Sequence, residues 1–157
     1  MTREEILKDL KEEFKGDIVD IFEKSPKRVY VEIRPGALVK IATHIFKGLK
    51  ARFNIATGTD LRHSMEILYH FTLDDINLVV SLRVKLTKPD LEVDSLTPVF
   101  KGADWIEREI HELLGIRFKN HPNLKRLLLS EEWPEGVYPL RQDYKEWDKK
   151  AIRDRGV

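Results

Sequence analysis

Residues 65–86 read MEILYHFTLDDINLVVSLRVKL, and this stretch decides the fold. Apolar and polar side chains alternate from Met65 to Leu73, and they alternate again from Ile76 to Leu86. A period of two is typical of strands with one buried face, and the acidic pair Asp74-Asp75 is suited to a tight turn between them. The stretch therefore predicts an antiparallel hairpin that covers a core on one side.

Shorter elements precede this hairpin. The pattern Thr2-x-x-Glu5 is a capping box and predicts a first helix, since apolar residues then recur at helical spacing. Behind Pro35, a second apolar stripe at helical spacing runs to Leu49 and predicts another helix. The predicted strands of this part are residues 18–22, 29–33 and 53–57.

After the hairpin we predict a short edge strand over residues 95–100 and a third helix. Asp104 and Glu107 form a second capping-box pattern, and Gly115 is placed to end this helix. The order of elements predicts an α+β fold, with an antiparallel sheet and helices on one face. We expect an α+β core domain over residues 1–115, followed by an extended, irregular C-terminal arm over residues 116–157.

The arm is rich in apolar and aromatic residues, yet prolines interrupt it and no period is sustained. An irregular stretch of this length is uncommon inside a compact domain, and its large side chains are unfavourable in water. Two interpretations stay open at this point. The arm either folds back over its own sheet, or a partner protein covers at least part of it.

Composition excludes several classes of site. The 157 residues contain no cysteine, which removes disulfides, iron–sulfur ligation, cysteine–zinc sites and a thiol nucleophile. A balance of 28 basic and 27 acidic residues gives no footprint for nucleic acid, so a small RNA-binding module is disfavoured. The apolar stretches are too short to span a bilayer and the N-terminus is polar, so we expect a cytosolic chain without a secretion signal.

One constellation could bind a metal. Glu107 and His111 are four residues apart on one helix, and His121 follows ten residues later. These three side chains define an alternative hypothesis, a stand-alone metal-dependent hydrolase. The ordinary interpretation is a surface ion pair plus a histidine in a turn, because Gly115 stands where a zinc helix needs its second histidine.

Two sequence blocks resemble the 30-kDa subunit family of complex I, which includes the C subunit of bacterial NADH–quinone oxidoreductase and its counterparts in membrane-bound nickel–iron hydrogenases. The first block is Glu107-Arg108-Glu109, Glu112-Leu113-Leu114-Gly115-Ile116, Phe118, His121-Pro122, Leu124, Arg126 and Leu127-Leu128. The second is Tyr138-Pro139-Leu140-Arg141-Gln142-Asp143-Tyr144, in which Tyr138 replaces the family's usual His and Gln142 its usual Lys.

The resemblance implies a non-catalytic peripheral-arm subunit without cofactor or metal, on the cytoplasmic side of the cell membrane. Such a subunit packs on the large quinone-site or nickel–iron-type subunit of its complex, and its C-terminal arm lies along that partner. Burial of Trp133, Tyr138, Leu140, Tyr144 and Trp147 against the partner would offset the entropy of ordering the arm. The partner-binding residues implied are Glu107, Arg108, Glu109, Phe118, His121, Pro122, Trp133, Tyr138, Pro139, Leu140, Arg141, Asp143 and Tyr144.

Overall fold

The computed structural model describes residues 1–146; Trp147 and the rest of the arm lie outside the described residues. The helices are α1 (Arg3–Glu13), α2 (Leu38–Thr43) and α3 (Ala103–Leu114). The strands are β1 (Ile18–Ser25), β2 (Arg28–Ile33), β3 (Arg52–Asp60), β4 (Ser64–Leu73), β5 (Leu78–Thr87), β6 (Glu92–Asp94) and β7 (Arg117–Lys119). A π-turn, His44–Gly48, prolongs α2, as the apolar stripe behind Pro35 predicts.

Strands β4 and β5 form the predicted antiparallel hairpin, paired from Ser64↔Thr87 to Leu73↔Leu78. The five-stranded sheet has the order β1-β2-β5-β4-β3, and one pair in it, β2 with β5, is parallel. The parallel pair arises because the α2 crossover returns the chain to β3 in the direction of β2, and the β3-β4-β5 meander then lays β5 beside β2. The sheet is thus mostly, but not wholly, antiparallel.

The core lies between one face of this sheet and the three helices. Alternate residues of β2, β4 and β5 point into it, including Val31, Tyr69 and Leu82, all fully buried. The helices contribute the opposing side chains Ile6, Leu10, Leu38, Ile41, Ile45, Ile110 and Leu114. Period-two strands facing period-3.6 helices account for this two-layer core, and the predicted α+β class is confirmed.

The approach to α3 differs from the prediction. The predicted strand over residues 95–100 is wrong: the strand is β6, just upstream, and the chain turns from Leu96 to Phe100. The predicted capping box of α3 is also wrong, since the helix begins after Gly102 without a side-chain cap. Glu107 does not cap the helix because its carboxylate binds the turn at Ser95 instead.

The core continues past the predicted boundary at residue 115. Strand β7 pairs in parallel with β6, and both Ile116 and Phe118 are buried in the main core. The core therefore runs to Lys119, and the irregular part of the arm that is described comprises residues 120–146, which we call the strap. Within residues 1–146, none of the helices combines the length and hydrophobicity that crossing a bilayer requires.

Candidate functional site

Helix α3 presents two different faces, and both are occupied by the chain itself. Its apolar side, with Ile110 and Leu114, packs on β3, where a Cβ at Gly58 would come within 2.5 Å of the Leu114 side chain. The opposite side carries Arg108 and Glu112, four residues apart and so on one helix face. This second side holds the strap.

Arg108 and Glu112 bind five consecutive residues of the strap through its backbone. The Arg108 guanidinium donates to the carbonyl oxygens of Lys125 (2.9 Å) and Arg126 (2.7 Å). The Glu112 carboxylate accepts from the backbone N–H groups of the next three residues, Leu127, Leu128 and Leu129, at 3.0, 2.7 and 3.3 Å. An irregular segment thereby satisfies its backbone without forming a helix or strand.

The C-terminal end of α3 holds the strap a second time. The N–H of Leu140 donates to the carbonyl of Leu113 (3.1 Å), and Nε of Arg141 donates to the carbonyl of Leu114 (2.7 Å). The Arg141 guanidinium also lies over the Tyr138 ring, 4.2 Å from its centroid. Gly115 ends the helix with φ +78°, as predicted, and a Cβ there would collide with Arg141 and Tyr138.

Asp60, at the end of β3, makes a third attachment. Its carboxylate accepts from the N–H of Gln142 (2.8 Å) and pairs with Lys88 (2.5 Å), while its carbonyl accepts from the Gln142 side chain (2.8 Å). Burial alone would raise the pKa of Asp60, but the hydrogen bonds from Lys88 and Gln142 outweigh it and hold the pKa below its usual value. Sequence patterns offered no sign of this contact, which joins residues 82 positions apart.

Between these attachments the strap borders a cavity that is open to solvent. Trp133 stacks on Tyr144, with ring centroids 6.1 Å apart, and its Nε1–H donates to the carbonyl of Val137 (2.8 Å). The cavity beneath has a volume of about 340 Å³ and is lined by His111, Glu112, Arg126, Trp133 and Tyr138, among others. Two of its charged lining residues, Arg126 and Glu112, already bind backbone groups of the strap.

Glu107 occupies the core rather than the surface. It is 0% exposed, and its carboxylate accepts from the Ser95 hydroxyl (2.5 Å) and the Leu96 N–H (2.8 Å). Burial raises its pKa to about 7 against these hydrogen bonds, and the nearby Asp104 carboxylate adds to the rise. The carboxylate therefore fixes the turn that leads into α3, and it is not accessible to a partner protein.

The structure does not assemble the metal site of the alternative hypothesis. Nδ1 of His111 lies 2.8 Å from the carbonyl oxygen of Ile116, and Nε2 of His121 lies 3.1 Å from that of Asp104. With Glu107 bound to Ser95, the three side chains serve separate backbone segments. No three Asp, Glu or His side chains within residues 1–146 are grouped so that they could hold a metal ion. The hydrolase hypothesis therefore lacks its site.

The remaining residues implied in partner binding divide by exposure. Phe118 is buried, whereas Pro122 and Asp143 are exposed, and Glu109 and Pro139 are half-buried. Leu140 is 59% exposed, which fits the implied role. On α3 and the strap, two more large apolar side chains are exposed that are not among the implied partner-binding residues, Trp105 at 69% and Leu128 at 63%.

A usable signal for Trp105 was present in the sequence. Residue 105 precedes Arg108 by three positions, so it lies on the strap side of α3 and outside the apolar stripe of Ile110 and Leu114. A tryptophan off the buried face is a recognised mark of an interaction surface. The sequence gives no such signal for Leu128, because the direction of its side chain depends on which backbone N–H groups donate to Glu112.

Comparisons with known proteins identify the family. The family model for the respiratory-chain NADH dehydrogenase 30 Kd subunit matches residues 31–150. The C subunit of the NADH-quinone oxidoreductase of Citrifermentans bemidjiense is 32% identical over 143 residues, which cover 86% of this chain and 84% of that protein. The C subunit of the F(420)H(2) dehydrogenase of Methanosarcina mazei is 39% identical over 93 residues, which cover 59% of this chain and 58% of that protein.

Solved structures share the fold. A chain of an archaeal respiratory complex, the membrane-bound sulfane sulfur reductase, matches all of this chain and 92% of its own length with a TM-score of 0.78 and 15% identity. A trypsin-resistant fragment of Nqo5, residues 1-134, matches 79% of this chain with a TM-score of 0.67 and 20% identity. At these identities the likeness concerns the fold. The family model covers most of the sequence and both blocks that carry the resemblance, so the chain belongs to the family of the 30-kDa subunit of respiratory-chain NADH dehydrogenase.

Proposed function

We propose that the chain is a non-catalytic peripheral-arm subunit of a complex I-related membrane oxidoreductase, of the NADH/quinone dehydrogenase or membrane-bound hydrogenase type. It packs on the large quinone-site or nickel–iron-type subunit, stabilises it, and thereby supports electron transfer coupled to ion translocation. The support is family membership together with relatives named as subunits of NADH-quinone oxidoreductase and F(420)H(2) dehydrogenase. Residence on the cytoplasmic side of the membrane, through the complex, is part of the same proposal.

The observation that carries the docking role is the presence of three exposed apolar side chains on α3 and the strap. Trp105, Leu128 and Leu140 are 69%, 63% and 59% exposed although their backbone is held in place. Large apolar side chains fixed on a rigid surface are typical anchors of protein interfaces, because a partner buries them without ordering the backbone. The partner surface is therefore expected to be apolar where it meets these three residues.

The structure changes which residues the docking proposal uses. Glu107 and Phe118 are buried in the chain's own core, and Arg108 and Arg141 bind its own carbonyl groups. In this proposal these four residues hold the docking surface in shape through contacts within the chain. Of the other implied partner residues, Pro122 and Asp143 are exposed, and Glu109 and Pro139 are half-buried and thus partly accessible.

Co-purification from native membranes tests this function. A tagged full-length chain is expected to retain the large subunit of its complex, and a chain ending at Lys119 is expected to lose it. The shortened chain keeps Ile116 and Phe118, so its core should still fold; the matched fold of a trypsin-resistant Nqo5 fragment is consistent with this. Circular dichroism verifies folding. A full-length chain without the large subunit, or a shortened chain that retains it, would contradict the proposal.

A further inference from the structure

The charged pair on α3 binds the strap in a directional way. Arg108, a donor, meets two carbonyl oxygens, and Glu112, an acceptor, meets the next three N–H groups along the chain. The two side chains are four residues apart, about one helical turn. Residues 125–129 thus accept two hydrogen bonds from Arg108 and donate three to Glu112, all of them charge-assisted.

The strap both covers the Glu112 carboxylate and satisfies it. With the strap in place the residue is 5% exposed, and a buried carboxylate without donors would be strongly unfavourable. Three converging N–H groups of the chain itself supply those donors. Ordering five residues costs backbone entropy, which five charge-assisted hydrogen bonds are able to offset.

The same bonds also determine what a partner meets. Because the Glu112 carboxylate is buried and already accepts from three backbone N–H groups, it cannot recognise a partner directly. The segment instead turns Leu128 outward while Leu127 and Leu129 stay half-buried. Trp105 lies about one turn before Arg108, so the helix and the strap each present one exposed apolar side chain near the paired charges.

We propose that Arg108 and Glu112 form a clasp that folds residues 125–129 in advance of assembly, so that the large subunit binds a preformed ridge through an apolar pocket that receives Leu128. This inference rests on the proposed function for the identity of the partner, but not for the clasp itself. It replaces the expectation that the arm becomes ordered only on its partner.

Amide hydrogen exchange on the isolated full-length chain tests the clasp. The amides of Leu127, Leu128 and Leu129 are expected to exchange at least about 10-fold more slowly than in an unstructured peptide. Glu112→Gln keeps the size but removes the charge, and should accelerate all three by about 10-fold or more. Glu109→Gln is the matched control on the same helix and should leave them unchanged, as should the amides of β4 and β5 in both variants.

Assembly is then measured separately. Glu112→Gln and Leu128→Ser should each lower retention of the large subunit at least about 10-fold, whereas Glu13→Gln, an exposed position on α1 away from the docking surface, should not. Rapid exchange at 127–129 in the unmodified chain overturns the clasp, whatever the assembly result. Slow exchange with undiminished retention in Glu112→Gln overturns its role in docking. Failure of the unmodified chain to retain the large subunit refutes the proposed function and leaves the exchange result to judge the clasp alone.

Discussion

The β4–β5 hairpin and the strap are both well attached, but they are attached by different means. In the hairpin, ten residue pairs follow one register, and every second side chain enters the core. In the strap, the backbone is held by side chains of Arg108, Glu112 and Asp60, which belong to other elements. Local pattern thus determines the hairpin, whereas single distant side chains determine the strap. We therefore expect a substitution to affect stability and assembly differently in these two regions.

The largest effect is expected in the sheet. Phe71 is fully buried on β4, and its ring lies 5.6 Å from that of Phe53 and 5.9 Å from that of Phe100. Phe71→Ala should lower the free energy of unfolding by about 3–5 kcal/mol, because it removes apolar burial and leaves a cavity. Urea denaturation measures this. The control Ile55→Ala, on the exposed side of β3, should cost less than about 0.5 kcal/mol; equal losses would show that the core is not where we place it.

The second-largest effect on stability is expected at Glu107, on the helix α3 that packs against the sheet and holds the strap. Its pKa is raised to about 7 in the folded chain from an ordinary 4.5, so the folded state holds this proton more tightly than the unfolded state. The stabilisation that the protonated Glu107 carboxyl group adds to the folded state is therefore fully present at pH values below 4.5 and is lost as the pH rises through 7. Between pH 5 and pH 8 the free energy of unfolding should therefore fall by about 2–3 kcal/mol.

Urea denaturation at pH 5 and pH 8 measures this dependence. Glu107→Gln should remove it, because an amide of the same size does not ionise over this range. The comparison with the unmodified chain isolates the group, since other carboxylates titrate equally in both. Tyr69, whose pKa is raised by burial and by Glu107, stays protonated throughout. An unchanged pH dependence in Glu107→Gln would mean that the carboxylate is not buried as described.

These two regions also show why the sheet was predictable and the strap was not. The alternation of apolar and polar residues from Met65 to Leu86 indicates which side chains are buried and that the two strands pair with each other, so the hairpin was predictable from the sequence. The pattern Asp104-x-x-Glu107 has the form of a capping box, but the core offered Glu107 the hydroxyl and N–H of the 95–96 turn instead. Contacts between distant parts of the chain thus determine whether Glu107 caps the helix or binds the turn, and the local sequence does not.

The partner-binding residues stay a prediction, and the structure divides them by exposure. The resemblance does not distinguish buried from exposed positions, so buried Glu107 and Phe118 were grouped with exposed Leu140. Burial depends on distant neighbours and is not encoded in a motif. Trp105 could have been found from its helical position, whereas Leu128 could not, since its outward direction follows from the hydrogen bonds to Glu112.

A moderate effect is expected where α3 meets the strap. Gly115 has φ +78°, and an added methyl group would collide with Arg141 and Tyr138. Gly115→Ala should lower the free energy of unfolding by about 1–2 kcal/mol through backbone strain. It should also release the second attachment of the strap, which hydrogen exchange at Leu140 would register. Gly16→Ala, where an added Cβ meets nothing within 4 Å, is the control and should leave the Leu140 amide protected.

The smallest effect on stability should accompany a large effect on assembly. Leu140 is 59% exposed, so Leu140→Ser removes little buried surface and should change the free energy of unfolding by less than about 0.5 kcal/mol. The N–H of Leu140 still donates to Leu113, which keeps the strap in place. If Leu140 is an anchor, the variant should nonetheless retain less of the large subunit. A variant that is destabilised by about 2 kcal/mol or more would instead place the side chain in an intramolecular contact, and the division between a self-held backbone and partner-facing side chains would then be wrong.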